Sequence, residues 1–300
     1  MGRDPFEVID IDVELVRRLL RDQHPDLAEL ALEPAGRGWD NATFRLGDEL
    51  AVRLPIRGLC AHLVEHEQRW LPVMTPGLPL PVPVPVRTGR PGLGYDWPWS
   101  IVPWLAGQPW LAGAPDDLVA AADALARFVV ALRRPAPPDA PPNPYRGVPL
   151  AERSSTTLQQ LADLEPGGEV PDRATLERCW LDHVDLPAWS GAPQWLHGDL
   201  HPLNLLVDDG ALSAVIDFGD LTAGDPANDL MAGWLLFDGE ARDRFLAVAG
   251  GGDADLRRRG RGWALAWSIA TAANRSATNT LGDVARQAIG RVVDDWHADS

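Results

Sequence analysis

The sequence predicts an α+β protein made of a small, sheet-containing N-terminal unit and a larger, mostly helical C-terminal unit. Between Leu30 and Leu54 short apolar runs are separated by glycine and aspartate, a pattern typical of antiparallel strands joined by tight turns. Towards the C-terminus, apolar residues recur at spacings of three and four, which indicates helices. The 300-residue chain is long enough for two modest domains. Strands that precede a run of helices are typical of the α+β class.

Local signals predict the other elements of the N-terminal unit. Asp12 is the predicted N-cap of a helix that stops near Pro25, because its carboxylate can accept from a free N–H group of the first turn. The stretch 51–54 is the last strand of the early group, and a second helix is predicted over Leu59 to Met74. Proline alternates with Leu or Val from Leu78 to Val86, so this segment is an extended connection and not a central strand.

The boundary between the units is predicted near residue 103, which gives an N-terminal unit of 1–103 and a C-terminal unit of 104–300. Tyr95 to Leu105 carries tryptophans and prolines, a pattern typical of a strand that continues into an extended linker. The other predicted elements are a helix over Asp116–Leu132, a proline-rich loop over Pro135–Pro149, a helical insertion over 150–189, and helices around Asp229–Phe237, Ala254–Ala273 and Asp283–Trp296.

The charge of the chain excludes several classes of function. The net charge is −16, so the protein is expected to repel nucleic acid and anionic membranes, and neither is an expected partner. All 27 basic side chains are arginine, which excludes Schiff-base chemistry and the lysine-containing phosphate loop. With no run of 18 apolar residues and no apolar leader, a cytoplasmic protein is expected, as a monomer or a homodimer.

One segment carries the chemical signal. His197, Gly198 and Asp199 are followed five residues after the aspartate by Asn204, and a DFG triplet begins at Asp217. This spacing is that of the catalytic loop of kinases, with glycine in place of arginine. Phosphoryl transfer needs a carboxylate that orients and deprotonates the attacking hydroxyl, and metal ions that neutralise phosphate oxygens. Asp199 suits the first role, and Asn204 and Asp217 offer the oxygen ligands that Mg²⁺ prefers.

The pattern around these residues predicts a β-hairpin. Leu203 to Val207 and Leu212 to Ile216 are apolar runs separated by a turn sequence, Asp-Asp-Gly. Such a hairpin would bring Asn204 and Asp217 together at its open end. The alternative is that these are ordinary loop aspartates and a capping asparagine, but five residue types at fixed offsets rarely coincide by chance.

With these residues the chain resembles the aminoglycoside phosphotransferase family, a branch of the protein-kinase-like superfamily that contains antibiotic kinases. The segments that carry the resemblance are HGDLHPLNLL from His197, IDFGD from Ile216 and GDPANDL from Gly224. The resemblance implies a two-lobed protein-kinase-like fold, in which a nucleotide-binding lobe with an antiparallel sheet and one helix precedes a larger helical lobe that binds the substrate. It also implies ATP or GTP with Mg²⁺, with Asp199 as the catalytic base and Asn204 and Asp217 as metal ligands.

The resemblance also implies a cation on the third strand, paired with a glutamate on the next helix. The family has lysine at that strand position, and this chain has Arg53. Glu67 is the implied partner, with Glu65 as second choice. An arginine can hold phosphate and carboxylate with two N–H groups, but its geometry differs from that of an ammonium group. The alternative is that Arg53 is a surface residue of the strand.

Two further segments are predicted to contact the nucleotide. The loop 36–43 contains glycines that allow backbone N–H groups to approach phosphate, and Asp40 and Asn41 are its assigned nucleotide residues. By resemblance, Pro103 and Leu105 form the hinge that binds the purine, through the Pro103 carbonyl and the Leu105 N–H. Proline retains only its carbonyl, which agrees with an acceptor role.

The remaining assignments concern support of the site and the acceptor. His197 and Asp229 are expected to be structural, and by resemblance Asp229 hydrogen-bonds the catalytic loop. His201 is also expected to support the backbone, and the alternative for either histidine is a metal-ligand or general-base role. The residues proposed to face the acceptor are Asp220, Trp263, Trp267 and Asn274.

The leading hypothesis is an O-phosphotransferase that uses ATP or GTP to phosphorylate a hydroxyl of a small polar molecule, with an aminoglycoside-like antibiotic as the first choice. Other acceptors remain open, namely a macrolide, a peptide antibiotic, a sugar or an amino alcohol. A catalytically silent kinase-like binding module is the alternative from a different class, suggested by the missing strand lysine. The presence of Asp199, Asn204 and Asp217 together argues against it.

Overall fold

The computed structural model describes residues 6–164, 170–274 and 279–299, which belong to two compact units. The N-terminal unit comprises Met1–Gly77, Pro81–Ala106 and Ile216–Gly219. The C-terminal unit comprises Leu78–Leu80, Gly107–Val215 and Asp220–Ser300. The DFG segment therefore groups with the N-terminal unit, although it lies far along the chain.

The N-terminal unit contains a five-stranded antiparallel sheet in the order β1-β2-β3-β5-β4. This confirms the predicted sheet of the N-terminal part. The strands that follow Pro85 pair with the early strands through β3, whose Arg53 lies opposite Thr43 on one side and Ser100 on the other. The five strands are β1 (Leu32–Arg37), β2 (Asn41–Leu46), β3 (Leu50–Pro55), β4 (Arg87–Gly89) and β5 (Trp99–Pro103).

Helix α1 (Val13–Gln23) packs its apolar side into the core of this unit. Asp12 caps it, since its Oδ1 accepts from the Leu15 N–H at 2.7 Å, as predicted from the sequence. Leu19 and Leu20 are fully buried and belong to the same core cluster as Val52 of β3. Burying each such leucine contributes about 1.5–3 kcal/mol to stability. Because Val52 points into this core and side chains alternate along a strand, the neighbouring Arg53 points to the other face of the sheet.

Helix α2 (Ala61–Met74) presents one acidic side chain to the interior of the N-terminal unit. The predicted start at Leu59 falls within a 3-10 turn, Gly58–Cys60, and the α-helix begins directly after it. Gln68 fixes the helix to β5, because its amide donates to the Trp99 carbonyl at 2.9 Å and to the Ser100 hydroxyl at 3.1 Å. Glu67, one residue earlier, is only 3% exposed.

Short strands flank the segment 197–204 in the C-terminal unit. β8 (Leu205–Asp208) and β9 (Ala211–Val215) form the predicted hairpin, with Leu205 paired to Val215. Asp209 and Gly210 form its turn and have φ of 49° and 71°, and a two-residue turn of this kind requires positive φ at both positions. The strands β6 (Gln108–Pro109), β7 (Gln194–Leu196) and β10 (Thr222–Gly224) complete this group.

Helices make up most of the C-terminal unit. Helix α7 (Gly239–Ala249) was not predicted, because two of its four buried residues are alanines and only Phe245 and Leu246 give an apolar signal, although it packs closely on α3 (Leu118–Leu132). Among the residues that the structure describes, none of the helices combines the length and the apolar character that a membrane span requires. The helices are α3 (Leu118–Leu132), α4 (Leu150–Asp163), α5 (Arg173–Val184), α6 (Ala232–Leu236), α7 (Gly239–Ala249), α8 (Ala254–Ala273) and α9 (Asn279–Ala298).

A buried histidine joins α5 to α8. His183 is 2% exposed, and its Nδ1 donates to the Cys179 carbonyl at 2.6 Å. Its Nε2 accepts from Nε of Arg261 at 3.0 Å, so the ring is held in its neutral form. Burial, and then the Arg261 charge, lowers the pKa of His183 to about 4. A proton added to Nε2 would face a guanidinium, and acid therefore weakens the attachment of α8.

We expect His183 to make the protein less stable as the pH falls below about 6.5. The unfolded chain binds a proton on this histidine near that pH, whereas the folded chain does so only near 4, so stability is lost between the two values. Between pH 8 and pH 5 the loss from this group is about 2 kcal/mol. Urea unfolding of wild type and His183→Gln at both pH values measures it. An equally steep acid dependence in the variant would contradict the assignment.

Candidate active site

The segment between β7 and β8 is held by buried polar residues that follow β10. The Asp229 carboxylate accepts from the backbone N–H of His197 at 2.8 Å and from that of Gly198 at 2.9 Å. Asn228 donates its amide to the Gly198 carbonyl at 2.9 Å. The loop that carries Asp199 is therefore held by hydrogen bonds to its own backbone.

Gly198 is required by this conformation. Its φ is +89°, in the region that favours glycine, and a Cβ at this position would lie 2.5 Å from the backbone oxygen of Asp220. A side chain here would displace either the loop or the segment after Phe218. This explains why glycine stands where the kinase motif has arginine.

Three side chains donate to the carboxylate of Asp199. Its Oδ1 accepts from Nη2 of Arg146 at 2.9 Å and from Nε1 of Trp267 at 3.0 Å. Its Oδ2 lies 3.2 Å from Nε2 of His201. The predicted base is thus fixed by residues from a loop, from α8 and from its own segment.

The tautomer of His201 follows from its other contact. Its Nδ1 accepts from the Leu203 N–H at 3.2 Å, so the proton is on Nε2, which faces Asp199. The ring also lies 5.4 Å from that of Trp267. His201 therefore contacts the carboxylate itself, in addition to supporting the backbone as expected.

These donors set the charge of Asp199. Burial alone would raise its pKa, but the Arg146 guanidinium and the imidazole of His201 hold the pKa of Asp199 well below its usual value. The carboxylate is therefore ionised and can accept a hydrogen bond from a hydroxyl group.

Arg146 was not singled out from the sequence. It lies in the proline-rich loop, 53 residues before Asp199, and no periodicity or motif marks it. Its guanidinium also contacts Oδ2 of Asp220, with Nε at 3.1 Å and Nη2 at 3.0 Å. Asn143 donates to the other oxygen of Asp220 at 2.8 Å. Asp220, proposed as an acceptor residue, is thus bound to this loop.

Asn204 lies beside Asp199 in the C-terminal unit. Its amide nitrogen donates to the Asp199 backbone carbonyl at 2.9 Å, and the residue is 6% exposed. Because the nitrogen is used in this way, the amide oxygen is the atom with which Asn204 can bind a cation. Leu205, the next residue, begins β8.

Arg53, Glu67 and Asp217 form a second cluster, within the N-terminal unit. Nη1 of Arg53 donates to both carboxylate oxygens of Glu67 at 3.1 Å, and Nη2 lies 3.7 Å from Oδ1 of Asp217. Burial lowers the pKa of Arg53, but the charges of Glu67 and Asp217 outweigh this and raise it. Glu65, the second choice as partner, is exposed.

Asp217 adopts a backbone conformation that is uncommon for a residue with a side chain. Its φ is +61°, a conformation that aspartate tolerates better than most residues and that is typical of functional sites. The side chain is 45% exposed, so its carboxylate can bind a cation. A hard oxygen donor of this kind fits Mg²⁺.

The predicted nucleotide loop, 36–43, spans the end of β1, a short turn at 38–40 and the start of β2. Oδ1 of Asp40 accepts from the thiol of Cys60 at 2.8 Å. Burial, and then this contact, raises the pKa of Cys60 to about 12, so the thiol stays protonated. Asn41 is the first residue of β2, and its buried Oδ1 has no hydrogen-bond partner among the described residues.

The predicted hinge follows β5. Pro103 is the last residue of that strand and lies opposite Leu50 of β3. The Trp104 N–H donates to the Glu49 carbonyl at 2.7 Å. The next N–H, that of Leu105, makes no hydrogen bond within residues 6–164, 170–274 and 279–299. This is the donor that the purine assignment needs.

The predicted acceptor residues of α8 differ in their surroundings. Trp263 is 2% exposed, and its Nε1 has no hydrogen-bond partner in the described part of the chain. Trp267, one helical turn later, points its Nε1 at Asp199. Asn274 follows the last residue of α8, and its N–H donates to the Thr271 carbonyl at 3.2 Å. Contact of these residues with an acceptor stays a prediction.

The N-terminal unit has an antiparallel sheet with an Arg–Glu pair, and the helical C-terminal unit holds Asp199 with three side-chain donors, an arrangement expected of a phosphotransferase with a protein-kinase-like fold. A family model described as "Phosphotransferase enzyme family" (APH) matches residues 31–263. The chain belongs to this family, and the predictions of a phosphotransferase and of its family are confirmed.

Solved structures of this class share the fold at low sequence identity. The GDP and kanamycin complex of APH(2")-IIIa aligns with a TM-score of 0.67 and 20% identity, covering 95% of this chain and 99% of that one. The apoenzyme of macrolide 2'-phosphotransferase MphH from Brachybacterium faecium aligns with a TM-score of 0.60 and 21% identity, covering 93% of this chain and 97% of that one. ADP-bound APH(2")-Ib aligns with a TM-score of 0.60 and 18% identity, covering 92% of this chain and 98% of that one. These likenesses confirm the predicted fold class.

A curated relative matches a shorter part of the chain. It is the uncharacterized protein YcbJ of Bacillus subtilis (strain 168), 34% identical over 74 residues. The match spans 24% of this chain and 24% of that relative, about a quarter of its length.

We expect Asp229→Asn to destabilise the protein by about 1–3 kcal/mol. An amide has one acceptor oxygen, so one of the two backbone N–H groups that Asp229 now binds would face an NH₂ group. Urea unfolding of the variant measures the loss. The same substitution at Asp10, whose side chain is 93% exposed, serves as the control and should have little effect. Equal stability of the two variants would contradict the supporting role of Asp229.

Proposed function

We propose that this protein is an ATP- or GTP-dependent O-phosphotransferase that transfers the γ-phosphate to a hydroxyl of a small polar molecule. The observation that carries the proposal is the ionised Asp199 carboxylate, held by three donors within hydrogen-bond reach. Nearby Asn204 offers an amide oxygen to a cation. A carboxylate and hard oxygen ligands are what this reaction requires of a protein.

The proposed roles follow from the contacts of each residue. Asp199 accepts the hydrogen bond of the acceptor hydroxyl and orients its oxygen towards the γ-phosphate. Arg53, oriented by Glu67, holds nucleotide phosphate with the N–H groups that it does not use on that carboxylate. Asn204 and Asp217 are the proposed ligands of Mg²⁺, which when bound neutralises phosphate oxygens. Asp40, Asn41, Pro103 and Leu105 are the proposed further contacts of the nucleotide.

An aminoglycoside-like compound is the first acceptor to test. The net charge of −16 favours a cationic substrate, and a structural neighbour is a complex with kanamycin. Because another neighbour is a macrolide phosphotransferase, macrolides belong in the same test, with peptide antibiotics, sugars and amino alcohols. The proposal places the enzyme in the cytoplasm, as a monomer or a homodimer, with a role in resistance if the acceptor is an antibiotic.

The silent binding module is the second candidate, and the contacts of Asp199 argue against it. A binding module has no need for a buried carboxylate, because burial of a charge costs free energy unless it is paired. Here three side chains from separate segments pair with that charge. Arg53 also keeps the glutamate contact that the family's lysine would make.

A matrix of ATP and GTP against these acceptor classes tests the proposal. We expect Mg²⁺-dependent loss of nucleotide with at least one acceptor, and a phosphate ester of that acceptor by mass spectrometry. Omission of Mg²⁺ with added chelator should abolish the product. Nucleotide binding without product across the whole panel would favour the binding module instead.

We expect Asp199→Asn to lower kcat by about 10²–10⁴-fold. The amide keeps the size of the side chain, but it is not a base, and an NH₂ group replaces one of the two acceptor oxygens. Nucleotide affinity should change little, because the proposed phosphate contacts lie elsewhere. Steady-state kinetics with the acceptor from the panel, together with a nucleotide titration, separate these effects. Unchanged turnover would exclude Asp199 as the catalytic residue.

We expect Arg53→Ala to weaken nucleotide binding by about tenfold or more, the loss of one or two charge-assisted hydrogen bonds. Arg53→Lys should recover only part of this, because an ammonium group cannot hold Glu67 and a phosphate with separate planar N–H pairs. Calorimetric titration gives the affinities. Arg21→Ala, which removes an arginine whose side chain is 58% exposed on α1, is the matched control. If both alanine variants bind nucleotide as the wild type does, Arg53 is only a strand residue.

A further inference from the structure

Arg146 connects the carboxylate of Asp199, in the predicted catalytic loop, with that of Asp220, which directly follows the DFG triplet. Its Nη2 is 2.9 Å from Oδ1 of Asp199 and 3.0 Å from Oδ2 of Asp220, and its Nε is 3.1 Å from the same oxygen of Asp220. Its side chain is 20% exposed, as is that of Asp199. A planar guanidinium with N–H groups in fixed directions can bridge two carboxylates in this way.

The loop that carries Arg146 is itself fixed on both sides. On one side, Oδ1 of Asn143 accepts from the Tyr145 N–H at 2.8 Å, while the amide of Asn143 donates to Asp220. On the other, Gly147 donates to Oδ1 of Asn228 at 3.1 Å, and its carbonyl accepts from the backbone N–H of residue 225 at 2.8 Å. Gly147 has a φ of +66°, and a Cβ there would lie 2.6 Å from Cδ1 of Leu196. This hydrogen-bonded segment therefore places the guanidinium of Arg146 next to Asp199.

Among the described residues, the hydrogen bonds to Asp199 leave one position of its carboxylate open. A carboxylate has about four lone-pair positions, two on each oxygen. Arg146 and Trp267 donate to the two positions of Oδ1, and His201 faces one position of Oδ2. The second position of Oδ2 is the one left for a hydroxyl group.

We propose that Arg146 is a positioning residue for phosphoryl transfer, whose guanidinium bridges Asp199 and Asp220 and so directs Oδ2 of Asp199 to the acceptor hydroxyl. This role rests on the proposed function, because it acts on the same base.

The transfer step defines what Arg146 has to position. The acceptor oxygen forms a bond to the γ-phosphorus, the bond between that phosphorus and the bridging oxygen breaks, and the nucleoside diphosphate leaves. The hydroxyl proton passes to Oδ2 of Asp199. Since the transition state is loose, alignment of the acceptor oxygen matters more than early removal of its proton. A carboxylate free to rotate about its terminal bond would offer this alignment only part of the time.

Substitution of Arg146 tests the role. Arg146→Met keeps most of the stem and removes the N–H groups, so kcat should fall about 100-fold, the cost of a misplacement on the order of an ångström. The KM for the nucleotide should change by less than about threefold, because Arg146 has no proposed nucleotide contact. The kcat of Arg146→Lys should lie between those of wild type and Arg146→Met, since an ammonium group is a point charge without the planar set of N–H groups of a guanidinium.

Rescue separates positioning from a general loss of structure. Arg146→Ala leaves a space of the size of a guanidinium, so added methylguanidinium should restore part of kcat in this variant. It should restore none in Arg146→Met, whose side chain fills the space. Arg153→Met is the matched control, because Arg153 stacks 5.3 Å above the ring of Tyr145 next to Arg146 but does not contact Asp199. Its kcat should stay within about twofold of wild type.

A readout that does not need turnover comes from Trp267, which shares Oδ1 of Asp199 with Arg146. Trp267→Phe identifies the indole N–H resonance of Trp267 in a ¹⁵N spectrum, and Arg146→Met should shift that resonance while Arg153→Met leaves it in place.

The outcomes are distinct. If wild type transfers phosphate and Arg146→Met has the same kcat, the positioning role is wrong and the proposed function stands. If kcat falls equally in Arg146→Ala and Arg153→Met, and methylguanidinium does not restore it, the positioning role of Arg146 is also wrong. If wild type transfers phosphate to no acceptor, the proposed function fails, and the role of Arg146 fails with it even where the indole resonance shifts.

Discussion

The buried carboxylate of Asp229 is the group on which the conformation of the segment around Asp199 depends. It accepts two backbone N–H groups, those of His197 and Gly198, and this fixes the chain direction immediately before Asp199. Burial raises the pKa of Asp229, and the two N–H groups compensate part of that cost. Because a carboxylate is the only small side chain that accepts at two oxygens and donates at none, no other residue can replace both contacts. The position of Asp199 is therefore fixed through the backbone of its loop as well as by the contacts of its own side chain.

Arginine takes the organising role in two acidic clusters of this lysine-free chain. Arg53 holds Glu67 in the N-terminal unit, and Arg146 bridges Asp199 and Asp220 in the C-terminal unit. Buried ion pairs add little net stability, because desolvation offsets most of the attraction. What an arginine adds is direction, since its N–H groups are fixed in one plane and can serve two carboxylates at once. The use of arginine at these sites is explained by geometry and not by stability.

The sequence predicted the parts of the structure that local patterns determine. The capped first helix, the strands up to Pro55 and the hairpin of β8 and β9 follow from alternation, turn residues and a capping aspartate, and all are present. Helix α7 was missed because only two large apolar side chains, Phe245 and Leu246, mark its buried face. The roles of the motif residues were predicted from their spacing alone, since a catalytic loop is a local feature of the chain, and those roles stay predictions.

Contacts between distant segments could not be predicted in this way. Arg146 lies in a proline-rich loop that has no period, and its pairing with Asp199 depends on the path of the chain between them. Trp267 was predicted to face an acceptor from its place on a C-terminal helix, and the structure shows that its N–H is directed at the base. A single sequence contains no signal for either contact, because both arise from tertiary packing and not from local periodicity.

The contacts of Asp199 favour orientation over base strength. Each donor stabilises the ionised carboxylate, which makes it a weaker base towards the acceptor hydroxyl. General-base assistance is worth roughly 10²–10⁴-fold. Orientation of the reacting groups is worth more, on the order of 7–11 kcal/mol when the geometry is well defined. In a loose transition state the acceptor oxygen carries little positive charge until late, so its proton can remain on it for most of the transfer. A rigid, weakly basic carboxylate therefore loses little general-base assistance, and it provides the orientation that has the larger effect on the rate.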